Sequence, residues 1–283
     1  MYKKNAGDSQ ENIHKNIQEY FMSKIHELAS EYLDFSVEEQ QAHALSMYGK
    51  YLLSWNERMN LTAVTDPRQI ILKHFFDSAI LSLKLSAIFP ALPSLAPDDD
   101  SSTRSSPAAS LSAVPVPPHI IDIGTGAGFP GMVIKIMQPH MKMTLVEASA
   151  KKISFLEHVA CALELDVACL HIRAEDLGRR SDFREKADGV VSRAVADLPV
   201  LLEYAIPLLK VGGYFVAAKG QKVFEEIERA GHALEVFGAC VEDVCEVNLA
   251  PEAKGHVLVV IKKIMPTSCS YPRRAGQPAK KPL

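Results

Sequence analysis

The stretch from His119 to Gly131, HIIDIGTGAGFPG, leaves few folds open to this chain. Ile120, Ile121 and Ile123 form a short apolar run carrying Asp122, and Gly124, Gly126 and Gly128 then alternate with small residues before Pro130 and Gly131. Such a pattern reads as a strand, a glycine turn and a helix start. Glycine accepts positive φ and lets backbone approach a ligand, while the first turn of a helix offers unpaired N–H donors to a carboxylate or phosphate. The segment is therefore a candidate nucleotide or adenosyl pocket.

The strand signal recurs toward the C-terminus. Apolar runs at 120–123, 143–146, 167–172, 189–191, 214–218, 239–247 and 257–261 are separated by helical segments until the last two. Five βα units and a final strand pair predict an α/β fold with an open, mostly parallel sheet and helices on both faces. Ligands of such sheets sit at the carboxyl ends of the strands. Residues 1–90 read as helices. Ser36 and Glu39 suggest a capping box before an apolar face of Ala44, Leu45, Tyr48, Leu52 and Trp55. Asp66-Pro67 writes a second helix start, with Trp55 to Thr62 as connector. From Ala91 to Pro118, six prolines, seven serines and five alanines replace the apolar periodicity, which marks a linker or insertion. The expected division is thus 1–90 helical, 91–118 linker, 119–263 core and 264–283 basic tail.

At 283 residues and 47% hydrophobic content the chain can bury a real core. No run approaches the roughly 18 apolar residues of a membrane span, and the start has no apolar signal core, so a cytoplasmic protein without membrane contact is expected. Cys161, Cys169, Cys240, Cys245 and Cys269 lack CxxC spacing and read as buried reduced thiols rather than metal ligands. The net charge of −3 conceals an asymmetry: Lys262, Lys263, Arg273, Arg274, Lys280 and Lys281 close the chain with no acid among them. A basic tail on an acidic body suits a polyanionic partner, and equally a solvated tail.

Several strand ends carry chemistry. Gly126-Ala-Gly128-Phe-Pro-Gly131 satisfies GxGxxG, a weak match alone, but Asp122 followed by Gly124-x-Gly126-x-Gly128 favours S-adenosylmethionine over NAD. Gly131 then serves helix packing. Glu147 ends the second run, where an acid accepts hydrogen bonds from ribose hydroxyls in either ligand class. Arg173-Ala174-Glu175-Asp176 follows the third, where an adenine edge is read. Ser192-Arg193-Ala194 and Lys219-Gly220 follow the fourth and fifth and bring a cation each to the mouth of the sheet. His74 and Asp77, nearly one helical turn apart, form a candidate polar pair, and Trp55 reads as a packing residue.

HIIDIGTGAGFPG, together with Trp55-Asn56, Asn60-Leu61-Thr62, the HxxDS of His74 to Ser78, Ser192-Arg193-Ala194, Ala218-Lys219-Gly220 and Tyr271-Pro-Arg-Arg-Ala-Gly276, closely resembles the RsmG (GidB) family of bacterial 16S rRNA guanine-N7 methyltransferases. The resemblance runs from about Val37 to the C-terminus apart from the linker. It implies a class I, Rossmann-like methyltransferase fold with a seven-stranded sheet, S-adenosyl-L-methionine as methyl donor, and guanosine 527 of 16S rRNA, naked or in the small ribosomal subunit, as target. It implies cofactor contacts at Gly124, Gly126, Gly128, Phe129, Glu147, Ala148, Ser149, Ala174, Glu175 and Arg193. Where the family often has Asp, this chain has Glu147, one methylene longer.

N7 of guanine has an in-plane lone pair and loses no proton on methylation, so no general base is expected. Catalysis is then mostly positioning. A donor on N7 would block the nucleophile, which leaves O6 or phosphate to Arg193 and Lys219. The expectation is that Arg193 positions cofactor or base, that Lys219 contacts RNA, and that Asp77 or Glu175 reads the N1 and N2 hydrogens. An NAD-dependent oxidoreductase and a non-catalytic nucleotide-sensing RNA-binding protein are the competing functions.

Overall fold

A computed structural model describes residues 10–91, 116–251 and 256–283, with side chains from residue 16 onward. The proline-, serine- and alanine-rich linker therefore lies almost wholly outside the described residues. The chain begins with α1 (Gln10–Tyr32) and α2 (Glu39–Met59), followed by α3 (Pro67–Ile70), a π-helical stretch (Ile71–Phe76) and α4 (Asp77–Ile88). Asp66 caps α3 as expected, its side chain accepting the Gln69 N–H at 3.0 Å with Pro67 in the first turn. The capping box of α2 is displaced from Ser36 and Glu39 to Glu38 and Gln41, because it is the Gln41 amide that reaches back to the Glu38 N–H, at 3.0 Å. The helix also continues through the expected connector to Met59. Asn60 then adopts a left-handed conformation (φ 50°), and the Asn56 side chain clamps Thr62 by accepting its N–H at 2.9 Å and donating to its carbonyl at 3.0 Å.

The core follows as β1 (His119–Ile123), α5 (Gly131–Met137), β2 (Lys142–Glu147), α6 (Ala150–Ala162), β3 (Val167–His171), α7 (Ala174–Leu177), β4 (Ala187–Arg193), α8 (Leu198–Ala205), β5 (Leu209–Lys219), α9 (Val223–Arg229), α10 (Gly231–Phe237), β6 (Ala239–Val247) and β7 (His256–Lys263), with a last turn, α11 (Gln277–Lys280). Among the described residues the strands form one seven-stranded sheet in the order β3-β2-β1-β4-β5-β7-β6. The first five are parallel and β7 is antiparallel to both neighbours. The chain reverses its winding between β1 and β4, the place where such sheets open a crevice.

Both faces are covered, which is why the strands read as continuous apolar runs rather than alternating ones. On one face Phe21, Tyr48, Phe75 and Phe155, all fully buried, pack the N-terminal helices and α6 over the sheet. On the other, Leu201, Phe215 and Phe237 seat α8 and α10. Each such side chain contributes roughly 1.5–3 kcal/mol of burial, so the N-terminal helices are part of the core. Trp55 packs as expected, against Phe155 and His158. The cysteines are less buried than expected. Cys161, Cys240 and Cys269 are exposed and Cys169 and Cys245 intermediate, since they fall on α6, the two edge strands β3 and β6, and the final segment.

The basic C-terminal segment folds back onto α8 instead of standing in solvent. Arg273 donates to both oxygens of Glu203, which is 1% exposed, and Arg184 donates to the carbonyls of Thr267 and Tyr271. Lys263 is fully buried and donates to Glu185 at 2.7 Å. These contacts remove two of the six terminal cations from any role toward a polyanion.

Gly131 occupies the close crossing of α5 over β1. A Cβ there would stand 2.7 Å from Asp122 Oδ2 and 2.9 Å from Asp122 Cβ, with Leu145 closer still. Gly131→Ala is expected to lower stability by roughly 1–3 kcal/mol, as an overpacked core site does. A urea midpoint within error of the wild-type value would show that α5 is not held this tightly.

Candidate active site

Five parallel strands end side by side, and the loops after them enclose two cavities that meet at Ala194. The first, about 430 Å³, lies over the ends of β1, β2 and β3 and is lined by Gly124, Glu147, Ala148, Ala174 and Glu175 among others. The second, about 390 Å³, lies over β4 and β5 and is lined by His74, Arg193, Lys219 and His256 among others. Ala194 belongs to both, with φ at 55°, a left-handed conformation unusual for a residue with a Cβ.

The glycine loop is shaped by two carboxylates. Gly124, Gly126 and Gly128 all have positive φ, at 67°, 62° and 95°. Glu147 accepts the Gly126 N–H at 3.0 Å and the Ser149 N–H at 2.9 Å, and Asp122 accepts the Gly131 N–H at 2.8 Å. The N–H groups of Gly124 and Thr125 go to the Val146 carbonyl, and those of Gly128 and Phe129 to Thr125. The helix start is thus not open to an anion, contrary to what the glycine pattern alone suggests. A dinucleotide pyrophosphate needs these donors. Here Asp122 takes the Gly131 N–H and brings a carboxylate against the helix start, which disfavours a pyrophosphate there. An adenosyl group fits instead, since a carboxylate offers about four acceptor positions and Glu147 uses two on the backbone, leaving two for ribose hydroxyls.

Gly128 and Phe129 lie beneath the cavities. Tyr48 of α2 donates to the Ala127 carbonyl and stacks on Phe129 at 5.3 Å. His74 stacks on Phe129 at 4.7 Å, and the Arg193 guanidinium sits 5.1 Å from the same ring. Burial and the charge of Arg193 lower His74 to a pKa of about 4, so the ring is neutral at pH 7. It accepts from Arg193 Nη2 at Nδ1 (3.3 Å) and donates Nε2–H to Thr62 Oγ1 (2.9 Å). Arg193 Nη1 donates to the Lys73 carbonyl at 2.9 Å and to Asp77 Oδ2 at 3.0 Å, while Asp77 Oδ1 accepts from His256 Nδ1 at 2.6 Å. Burial alone would raise Asp77, but the hydrogen bond from His256 and the charge of Arg193 bring it below the usual range.

Of the residues expected from sequence, Gly124, Glu147, Ala148, Ala174 and Glu175 share the first cavity, with Gly126 and Ser149 bonded to Glu147 at its edge. Arg193 and Lys219 line the second. Gly128, Phe129 and Arg193, expected as cofactor contacts, do not line the first cavity, and two further expectations change. Asp77 is not placed to read a guanine edge: it is 4% exposed, lines neither cavity, and is held between Arg193 and His256. Lys219 does not extend toward RNA: its ammonium donates to the Ala196 carbonyl at 2.7 Å and pairs with Glu226 at 2.5 Å, with the side chain 8% exposed. Glu175 is also partly engaged, accepting the Gly276 N–H at 2.8 Å. The sequence reading missed His256, Tyr204, Gly276 and Ala279, the last three of which complete the wall of the first cavity.

Fold and cavities define a doubly wound α/β protein with an adenosyl-type pocket beside a second, cation-lined one. The family model described as GidB, rRNA small subunit methyltransferase G, matches residues 108–253, and the chain belongs to this family. It is 42% identical to "Ribosomal RNA small subunit methyltransferase G" of Desulfitobacterium hafniense over 90% of this chain and 95% of that protein. The proteins of the same name from Desulforamulus reducens and Lactobacillus johnsonii are each 40% identical, over 90% and 88% of this chain and 95% and 94% of theirs. No helix among the described residues is long and apolar enough to cross a membrane.

Burial pushes Asp122 up to about 6, against the lowering effect of the Thr125 hydroxyl and the Gly131 N–H. A raised carboxyl stabilises the fold below its ordinary pKa of about 3.9, and that stability is lost as pH rises through about 6. His74 acts in the opposite sense, losing stability as pH falls from its ordinary 6.5 toward about 4. Asp122→Asn removes only the first effect. Relative to wild type, the variant is expected to be more stable at pH 7.5 than at pH 4 by up to about 3 kcal/mol in ligand-free urea titrations. A difference that does not change with pH would mean that Asp122 is not raised.

Proposed function

We propose that this chain transfers the methyl group of S-adenosylmethionine to N7 of guanosine 527 of 16S rRNA, in the cytoplasm, with the cofactor in the cavity over β1 to β3 and the guanine in the cavity over β4 and β5. Family membership supports S-adenosylmethionine-dependent methylation of small-subunit rRNA. The observation that carries the division of roles is the meeting of the two cavities at Ala194: one has an acid for ribose at its centre and the other a set of cations.

S-adenosylmethionine, when bound, supplies a methyl group on a positively charged sulfur. The Glu147 oxygens hold the ribose and keep the glycine loop in shape through Gly126. Ala174 and Glu175 lie at the adenine end, and Tyr204 and Gly276 close it from water. No residue needs to take a proton, because N7 attacks with its lone pair. That need is met by the surroundings: His74 is neutral and committed to Arg193 and Thr62, and Arg193 directs its donors to Lys73, Asp77 and His74. His74 therefore has no donor to spare for N7, where one would block the attack, and Arg193 has three of its five directed elsewhere. Both fix Phe129 and the floor between the cavities, so their work is positioning.

Mass spectrometry of 16S rRNA from cells with and without the protein is expected to show loss of one methyl group at guanosine 527. Glu147→Ala should weaken S-adenosylmethionine binding by ten- to a hundredfold in calorimetry, about the worth of one hydrogen bond to a charged group. Arg193→Ala should lower methyl transfer to RNA by at least tenfold. An unmodified guanosine 527 in wild-type cells, or NAD binding where S-adenosylmethionine does not bind, would overturn the assignment.

A further inference from the structure

His256 has no part in the mechanism above, yet its placement is specific. It opens β7, and because β7 runs antiparallel to β5 with Val257 beside Lys219, this first residue stands at the carboxyl end of the parallel strands. Its Nδ1–H is donated to the buried Asp77 at 2.6 Å. The other ring nitrogen, Nε2, has no partner among the described residues, and the side chain lines the cavity over β4 and β5 while keeping 35% exposure.

The charges around the ring do not balance. Lys219 is neutralised by Glu226, but Asp77 is a single carboxylate shared between Arg193 and His256, and Lys73 meets, among the described residues, a neutral Gln69 amide oxygen. The surplus is positive and sits on the Lys73 and His256 side of the cavity. The hydrogen bond to Asp77 keeps the imidazole above its ordinary range in spite of burial and of the charges on Arg193 and Lys73. Protonated, the ring presents a cationic Nε2–H to the cavity, and in a partly buried site such a donor is best matched by an anionic oxygen. On the target nucleotide that is a phosphate; a cation drawn to O6 would instead withdraw density from N7, the attacking atom. A base drawn out of its strand into the cavity leaves its phosphate at the mouth, where backbone contacts position it.

We propose that His256 is a substrate-contacting residue whose Nε2–H donates to a phosphate oxygen of the nucleotide carrying the target base, with Asp77 acting through it as a positioning residue. This rests on the assignment of the β4–β5 cavity to the base. Its distinguishing property is an RNA contact that cofactor binding does not feel.

The test uses the full chain carrying His256→Asn, which keeps a donor toward Asp77 and removes the far edge of the ring, and His256→Lys, which restores a cation. Binding is read with an RNA fragment spanning guanosine 527 across a salt series, and S-adenosylmethionine affinity by calorimetry. His256→Asn is expected to bind RNA about tenfold more weakly, with the salt slope reduced by about 0.7 for one lost phosphate contact, and to bind S-adenosylmethionine within twofold of wild type. His256→Lys is expected to recover the slope. Unchanged RNA affinity, weaker RNA affinity with an unchanged slope, or loss of cofactor affinity in His256→Asn would each overturn the proposal, the last because His256 would then be acting on the fold. Failure of wild-type protein to methylate 16S rRNA would sink the assigned reaction instead, and the binding comparison would still decide the RNA contact.

Discussion

A single buried carboxylate, that of Asp77, joins the helical layer to the sheet. It comes from the first turn of α4 and receives Arg193 from the end of β4 and His256 from the start of β7, so three elements distant in sequence converge on two oxygens. Breaking such a pair from one side leaves an uncompensated buried charge, which is far more costly than the pair is favourable. The arrangement therefore specifies where α4 sits more than it adds to stability. Once α4 is placed, His74 lies over Phe129, Arg193 lies against the same ring, and the floor between the two cavities has one geometry.

The cofactor loop is held on a similar principle. Asp122 and Glu147, from neighbouring strands, each close one end of the glycine turn through backbone N–H groups, and Tyr48 of α2 reaches its middle at the Ala127 carbonyl. The loop is therefore a built surface whose own amides are largely satisfied. Recognition passes to side-chain oxygens and to shape, which suits an uncharged adenosine better than a pyrophosphate. The N-terminal helices thus take part in the site without lining the adenosyl cavity.

Much of this was legible in the sequence because β-strand runs and glycine spacing are local signals. The strand runs, the Asp66-Pro67 start and the strand-end positions of Glu147 and Ala174-Glu175 are all written within a few residues of where they act. The capping box at Glu38 was missed because two candidate pairs lay two residues apart and only side-chain reach decides between them. Asp77, Lys219 and Arg273 read as groups for RNA because sequence shows a charge but not its partner. Glu226, Arg193 and Glu203 claim them through contacts that span about 7 to 116 residues of chain. His256 shows no local pattern, although an antiparallel last strand entering beside β5 must begin at the mouth of the site.

Ala194 has a consequence for how the two ligands sense each other. A residue with a Cβ holds a left-handed conformation only when its surroundings require it, and here those surroundings are two cavities sharing the residue as a common wall. A ligand that shifts this turn on entering one cavity alters affinity in the other, and thermodynamic linkage makes that factor the same in either order of binding. The dividing wall is thereby the place where such a shift would be felt on both sides.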